Sequence, residues 1–383
     1  MAGEKTGQKG GAAEEMLKAY FWAAGYFAVR GVPFRLDGED VTDVDLWLYE
    51  RPAALTRRRL ILDAKNKKVP KAAERLVWVR GLQAALGVDG AIVASTDKRP
   101  SSKRLAKAMG VTLLDGNALS KLSSSKKLSL EGRLASEDFD NLFKAVDGSR
   151  GSVEWREALL GPRAALLSSF GIHSANTALR AAGYFGEQAI LSVPKSPQAQ
   201  IALRGFYSNC ALAAVALDQV VADLTFRSRE ERREALINGI RYGHTDTREA
   251  LSTVRAAVAL IRQHTANGSG IAKLIEKGFE DRANQVPAET IADYLTRVSS
   301  ADALFSVARE LEWNAYNVHM AHFDNLSLEA RSLLGVFIDF HELSREKIAI
   351  AGIAGAPNTA PETNEDSQMV LGALFPDDHL STS

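Results

Sequence analysis

The spacing of apolar residues changes along the chain, and the change divides it. In AAEEMLKAYFWAAGYF, residues 12–27, Met16, Leu17, Tyr20, Phe21 and Ala24 share one broad face at helical spacing, and Gly25 marks the end. FAVRGVPFRL reads as an extended segment. GEDVTDVDLWLYE then alternates strictly, with Val44, Leu46 and Leu48 to one side and Asp43, Asp45, Trp47 and Tyr49 to the other. RRLILDAKN does the same: Leu60, Leu62 and Ala64 oppose Ile61, Asp63 and Lys65. PKAAERLVWVRGLQAALG returns to helical spacing through Leu76, Val79, Leu82 and Leu86, between Pro70 and Gly87. A short buried strand (GAIVAST), a serine-capped helix (SSKRLAKAMG) and a last strand (VTLLDG) follow. Helix, three strands, helix, strand, helix, strand is the order of an α/β layer.

Residues 121–152 are rich in Ser, Lys and Gly and read as a linker between an α/β domain at 1–120 and a second domain at 153–350. In that second part, EERREALINGIRYG, TREALSTVRAAVALIRQHTA, AETIADYLTRV and SADALFSVARELEWNAYNVHM all have helical spacing, with Thr247 and Ser300 as cap signals. It reads as all-helical, without a repeat that would make a solenoid. The stretch 351–383 mixes Pro, Asn, Thr and acids and reads as a mobile tail.

Composition adds three constraints. A chain of 383 residues, 46% hydrophobic and 25% charged, has the make-up of a folded protein and is too long for one ordinary core. With no apolar leader at its start and no run long enough to span a bilayer, it is expected to be cytoplasmic and to have no membrane partner. The single cysteine, Cys210, excludes an intrachain disulfide and a thiolate zinc cluster. The zero net charge conceals a division: residues 1–150 hold 26 Lys and Arg against 19 Asp and Glu, or +7, and the remainder holds 21 against 28, or −7. Such asymmetry points to a polyanionic partner for the first part, or to mutual attraction of the two parts.

The candidate chemistry lies where strands end in charge. If the three strands form a meander, Asp45, Asp63 and Lys65 stand together on one sheet face, and Glu15 or its neighbour Glu14 approaches from the first helix. Clustered acids repel unless a cation lies between them. All-oxygen donors suit Mg²⁺ or Mn²⁺, which bind one or two carboxylates and complete their shell with water and phosphate.

These residues resemble the PD-(D/E)xK nuclease superfamily, the restriction-endonuclease-like fold, and within it the Mrr-like and Holliday-junction-resolvase-like branches. The resemblance rests on Glu15, the turn at Gly25-Tyr26, Asp45, Asp63-Ala64-Lys65 and the closing segment GAIVASTDKRPSSKRLAKAMGVTLLDGNAL, and spans roughly residues 11–120. It implies a mixed central sheet flanked by helices and a metal-dependent endonuclease that cuts DNA, RNA being a further possible substrate. Asp45, Asp63 and the main-chain carbonyl of Ala64 would be metal ligands, Lys65 the catalytic amine, and Glu15 an auxiliary ligand or base. No proline precedes Asp45, so Asp43 rivals it. The helical part would serve assembly, as a homo-oligomer or with a partner protein, or recognition or regulation, and defence against foreign DNA is the setting the resemblance suggests. The other reading is a nuclease-fold module without catalysis that binds nucleic acid or protein.

Arg57, Arg58, Arg59, Lys67, Lys68 and Lys71 are candidate contacts to backbone phosphates, and Lys98, Arg99, Lys103, Arg104 and Lys107 form a second basic cluster. Trp47 and Tyr49 share the acid-bearing face and would either stack on a base or be covered by a helix. His319 with His322, and His244 near Asp246, lack a third ligand, and no phosphate-binding glycine loop is present.

Overall fold

The register of three antiparallel strands organises the first half of the protein. The computed structural model describes residues 4–65, 71–124, 132–150, 154–297 and 302–352. After α1 (Glu4–Ala23) and a left-handed Gly25, β1 (Phe27–Leu36) and β2 (Glu39–Glu50) form a hairpin whose Asp37-Gly38 turn has both φ angles positive. β3 (Arg58–Lys65) pairs antiparallel with β2 from Glu50–Arg58 to Leu46–Leu62. β4 (Gly90–Ser95) and β5 (Thr112–Leu114) add in parallel, giving the order β1-β2-β3-β4-β5. α2 (Ala72–Leu86), between β3 and β4, and α3 (Pro100–Met109), between β4 and β5, both end on left-handed glycines, Gly87 and Gly110. The element order read from periodicity is the order observed.

Alternation assigns the sheet faces. Leu46, Leu48, Leu60, Leu62 and Ala64 form one core with Leu17, Tyr20 and Phe21 of α1. The intervening Trp47, Tyr49 and Ile61 are fully buried on the other side, with the two aromatic rings stacked at 6.0 Å. Covering is therefore the outcome for Trp47 and Tyr49, and neither can stack on a base.

The segment 121–152 is not a linker in its described part. α4 (Gly116–Ser124) and α5 (Ser136–Arg150) occupy it, and α6 (Glu154–Ser168) belongs to the same unit, which runs to Ser168 and includes Tyr316–His319. The polar composition masked an apolar stripe: Phe139, Phe143 and Val146 are buried along α5, and Trp155 and Leu159 along α6. Buried Arg163 of α6 forks onto Asp140 of α5 at 3.1 and 2.9 Å, and Phe139 stacks on Tyr316 at 4.1 Å.

The second unit, Ser169–Ala315 with Met320–Asn358, has only helical elements among its described residues, one of them a 3₁₀ turn at Phe323–Asn325. Its helices are α7 (Ile172–Leu191), α8 (Pro197–Asp223), α9 (Arg229–Tyr242), α10 (Thr247–His264), α11 (Gly268–Asn284), α12 (Ala288–Arg297), α13 (Asp302–Tyr316), α14 (Leu328–Phe340) and α15 (Arg345–Ala351). The middle of α8, residues 202–218, is buried throughout, and at Gly205 a Cβ would lie 2.6 Å from the Phe185 ring, so the close approach of α7 and α8 requires glycine there. Cys210 is buried in α8, and burial pushes its thiol well up. α13 ends at Tyr316, so His319 and His322 share no helical face. The candidate cap Ser300 and the tail from 353 lie outside the described residues. Among the described residues no helix is long and apolar enough to cross a membrane.

Asp97, just beyond β4, ties α3 to the sheet. Its buried carboxylate accepts from the Arg99 guanidinium at 2.7 Å, the Arg99 backbone N–H at 2.8 Å and the Ser102 hydroxyl at 2.7 Å. Arg99 above all, with these further bonds, holds its carboxyl well below the usual carboxylate range. A depressed acid stabilises the fold fully above its unfolded pKa, near 4, and loses that contribution as the pH falls through its folded value. Asp97→Ala is expected to lower stability by about 1–3 kcal/mol near neutral pH. Urea titrations should show the gap from wild type narrowing as the pH drops below about 4.

Candidate functional site

Asp45 and Asp63 converge because β2 and β3 are antiparallel neighbours in one particular register. Leu46 opposes Leu62, so Asp45 and Asp63 face each other one residue further on. The Asp45 carboxylate turns across the strands, and its Oδ2 accepts the Ala64 N–H at 2.7 Å. On the other side of β2, the ladder with β1 passes from Arg30–Leu46 to Val32–Val44 and skips Gly31, opposite Asp45. Gly31 has φ of 64°, a conformation glycine adopts without strain. Pairing is thus interrupted on one side of Asp45 and replaced by a side-chain bond on the other.

Lys65 Nζ lies 3.7 Å from Asp45 Oδ2 and 3.9 Å from Asp63 Oδ1, so one amine bridges both acids. Its side chain is 37% exposed, against 15% for Asp45 and 8% for Asp63. The carboxylates are thus recessed and the amine reaches toward solvent. A cavity of about 520 Å³ opens beside Lys65, lined among others by Met16, Leu17, Ala64, Thr96 and Leu119. Asp43, the rival of Asp45, pairs with Pro33 two residues back along β2, away from this convergence.

Of the two helical acids, Glu14 is the one whose charge couples to Asp45 and Lys65, while both lie beside Arg30, Glu14 at 2.8 Å and Glu15 at 3.6 Å. Burial raises the Glu14 pKa above its ordinary value; the bond from Arg30, at 2.8 Å, opposes this, Asp45 adds repulsion, and Lys65 a weak attraction. Glu15 accepts from the backbone N–H and hydroxyl of Ser136, both at 3.3 Å, and so caps the start of α5. The two glutamates are adjacent on a helix and share Arg30, but the turn of about 100° per residue aims Glu15 on toward Ser136 and leaves Glu14 beside Asp45.

A further charged residue at the site is Arg75. From the first turn of α2 it forks onto Asp63, Nε to Oδ2 at 2.8 Å and Nη2 to Oδ1. Burial lowers the Arg75 pKa and the Asp45 charge opposes the shift; a guanidinium remains charged regardless. The signal was legible: Arg75 lies three residues from Ala72 and four from Val79, both fully buried, so a cation stands on the apolar stripe of α2.

The basic residues divide by sheet edge. Arg57–Arg59 do not surround the site, because β3 runs from Arg58 to Lys65 and the five steps from Arg58 to Asp63 span about 17 Å. Arg57 bonds the carbonyls of Ala53, Ala54 and Thr56, Arg58 pairs with Glu50 at 3.0 Å, and Arg59 donates to Gly87 O at 2.8 Å. Lys71 is exposed and pairs with Glu74 at 3.0 Å, while Lys67 and Lys68 lie outside the described residues. The second cluster is better placed, since Lys65 pairs with Ser95 in parallel register and Lys98 and Arg99 follow that same strand end. Lys103, further along α3, binds Asp115 at 2.6 Å.

Among the described residues no group of three or more His, Cys, Asp or Glu side chains is placed to hold a metal ion. Two carboxylates are nevertheless the usual protein share for Mg²⁺ or Mn²⁺. Asp45 and Asp63 supply oxygens of the right kind, and Asp45 directs only Oδ2 at Ala64 and Lys65. The donor set fits in type and number, with Arg75 already on Asp63. No protein-family model, curated protein or solved structure matches the chain.

Substitution should separate structural from reactive roles. Asp63→Ala strips Arg75 of its fork and is expected to destabilise the protein by about 2 kcal/mol. Lys65→Ala, at longer and more exposed contacts, should change stability by less than about 1 kcal/mol. Chemical denaturation of the two variants against wild type checks both values.

Proposed function

We propose that the protein is a divalent-metal-dependent endonuclease of the PD-(D/E)xK kind that cleaves DNA phosphodiesters, with its reactive groups on β2 and β3. The observation that carries this reading is the meeting of Asp45 and Asp63, from adjacent strands, within 4 Å of a single lysine Nζ. The mixed five-stranded sheet, antiparallel through β3 and parallel beyond it, supports a restriction-endonuclease-like fold.

When bound, Mg²⁺ or Mn²⁺ would polarise the phosphodiester and acidify a coordinated water. Asp45 and Asp63 would hold the ion, and the Ala64 carbonyl would offer a further oxygen at the same strand end. Lys65, its amine within 4 Å of both carboxylates, would hold the attacking water or offset charge developing on the phosphate. Glu14, its carboxyl raised by burial, takes the auxiliary position first assigned to Glu15. Lys98, exposed just beyond the end of β4 that lies beside Lys65, is the phosphate contact this reading favours. The helical unit then serves assembly, recognition or regulation, and defence against foreign DNA is a setting compatible with it.

A second reading, a nuclease-fold module that binds nucleic acid or protein without cutting, draws on one specific observation: each site carboxylate already contacts a protein cation, Asp63 with Arg75, Asp45 with Lys65 and Glu14 with Arg30. The two diverge in a cleavage assay over single-stranded, duplex, branched and modified DNA and RNA, with and without Mg²⁺. The nuclease reading expects metal-dependent products, reduced at least about 10²-fold in Asp45→Asn, Asp63→Asn and Lys65→Ala. Activity in those variants equal to wild type excludes these roles.

A further inference from the structure

The Arg75–Asp63 pair poses a problem for any cation that approaches Asp63. A guanidinium fork engages both carboxylate oxygens at once, the strongest geometry such a pair has, and here the acid beneath it is 8% exposed and the arginine 27%. Lys65 is a different kind of neighbour, a single amine at 3.9 Å that blocks neither oxygen. Arg75 also has a second partner while it forks onto Asp63. Its Cζ lies 4.6 Å from the centroid of the Trp78 ring, one helical turn along α2, and that ring is 39% exposed. A guanidinium that leaves Asp63 can keep this half-exposed ring, and a phosphate offers it the same two-oxygen edge as the carboxylate.

From this we infer that Arg75 is an exchangeable counter-ion of the site: it occupies Asp63 in place of a divalent cation and transfers to a backbone phosphate when nucleic acid binds. The inference rests on the metal-dependent reading and adds a regulation to it. Metal and nucleic acid then strengthen each other's binding through one side chain, and by linkage the factor is the same in both directions. Without nucleic acid the acids remain neutralised and weakly receptive to metal.

The test is Mn²⁺ titration of the full chain by calorimetry, with and without a phosphorothioate duplex that resists cleavage. Wild type should bind Mn²⁺ weakly alone and about tenfold more tightly with duplex. Arg75→Gln should bind Mn²⁺ about tenfold more tightly than wild type without duplex and gain little from adding it. Arg75→Lys keeps the charge and loses the fork, so it should fall between the two, and it answers the question if Arg75→Gln melts at the assay temperature. Should neither Arg75 variant bind Mn²⁺ more tightly than wild type while Asp63→Asn abolishes binding, the counter-ion role is wrong and the metal site stands. If Asp63→Asn binds Mn²⁺ as wild type does, or none of the proteins binds it, the metal-dependent reading itself fails and the counter-ion role with it.

Discussion

One hydrogen bond, from the Ala64 N–H of β3 to the Asp45 carboxylate of β2, records the constraint on which the site depends. It forms only when the two strands pair with Leu46 opposite Leu62. A slip of one residue would turn Asp63 into the α1 core and Leu62 out of it, and the cost of exposing Leu60, Leu62, Leu46 and Leu48 forbids that slip. The hydrophobic pattern therefore does more than hold the sheet together. It sets the position of two acids that contribute nothing to the core.

Those acids are held in an expensive environment. Three carboxylates and three cations, from α1, β1, β2, β3 and α2, share a small and partly buried volume. Such clusters seldom repay their desolvation, and apolar packing of similar volume usually does as well or better. Neighbouring structure follows the opposite economy: Asp97 and Asp115 are buried too, but their partners hold α3 and α4 at the sheet edge. The Asp45–Asp63–Lys65 group also joins elements, through the Asp45–Ala64 bond and the Arg75 fork to α2, but it ends in an amine, Lys65, that reaches solvent.

Several residues resisted assignment for identifiable reasons. Glu14 and Glu15 are equivalent in composition and sit side by side on one helix; the cap on Ser136, 121 residues away, decides between them. Arg57–Arg59 stand close to Asp63 in the sequence, yet a strand is an extended rod, and its two ends face different surroundings. The segment around α5 reads as polar because Ser, Lys and Gly flank it, whereas its burial comes from Phe139, Phe143 and Val146, at helical spacing. Arg75 was readable as a cation on an apolar stripe, but its partner was not.

Periodicity by itself determined the order of the first eight elements, the strand faces, the helical character of the second unit and the candidacy of Asp45, Asp63 and Lys65, since each is a local consequence of alternation or helical spacing. The tertiary structure alone decided the pairing of Asp45 with Ala64, the bond of Glu15 to Ser136, the fork of Arg75 on Asp63 and the extent of the first unit to Ser168. The reason is physical. Local spacing fixes which way a side chain points, whereas contacts between groups far apart in the chain depend on register and helix packing, which settle only when the whole core is buried.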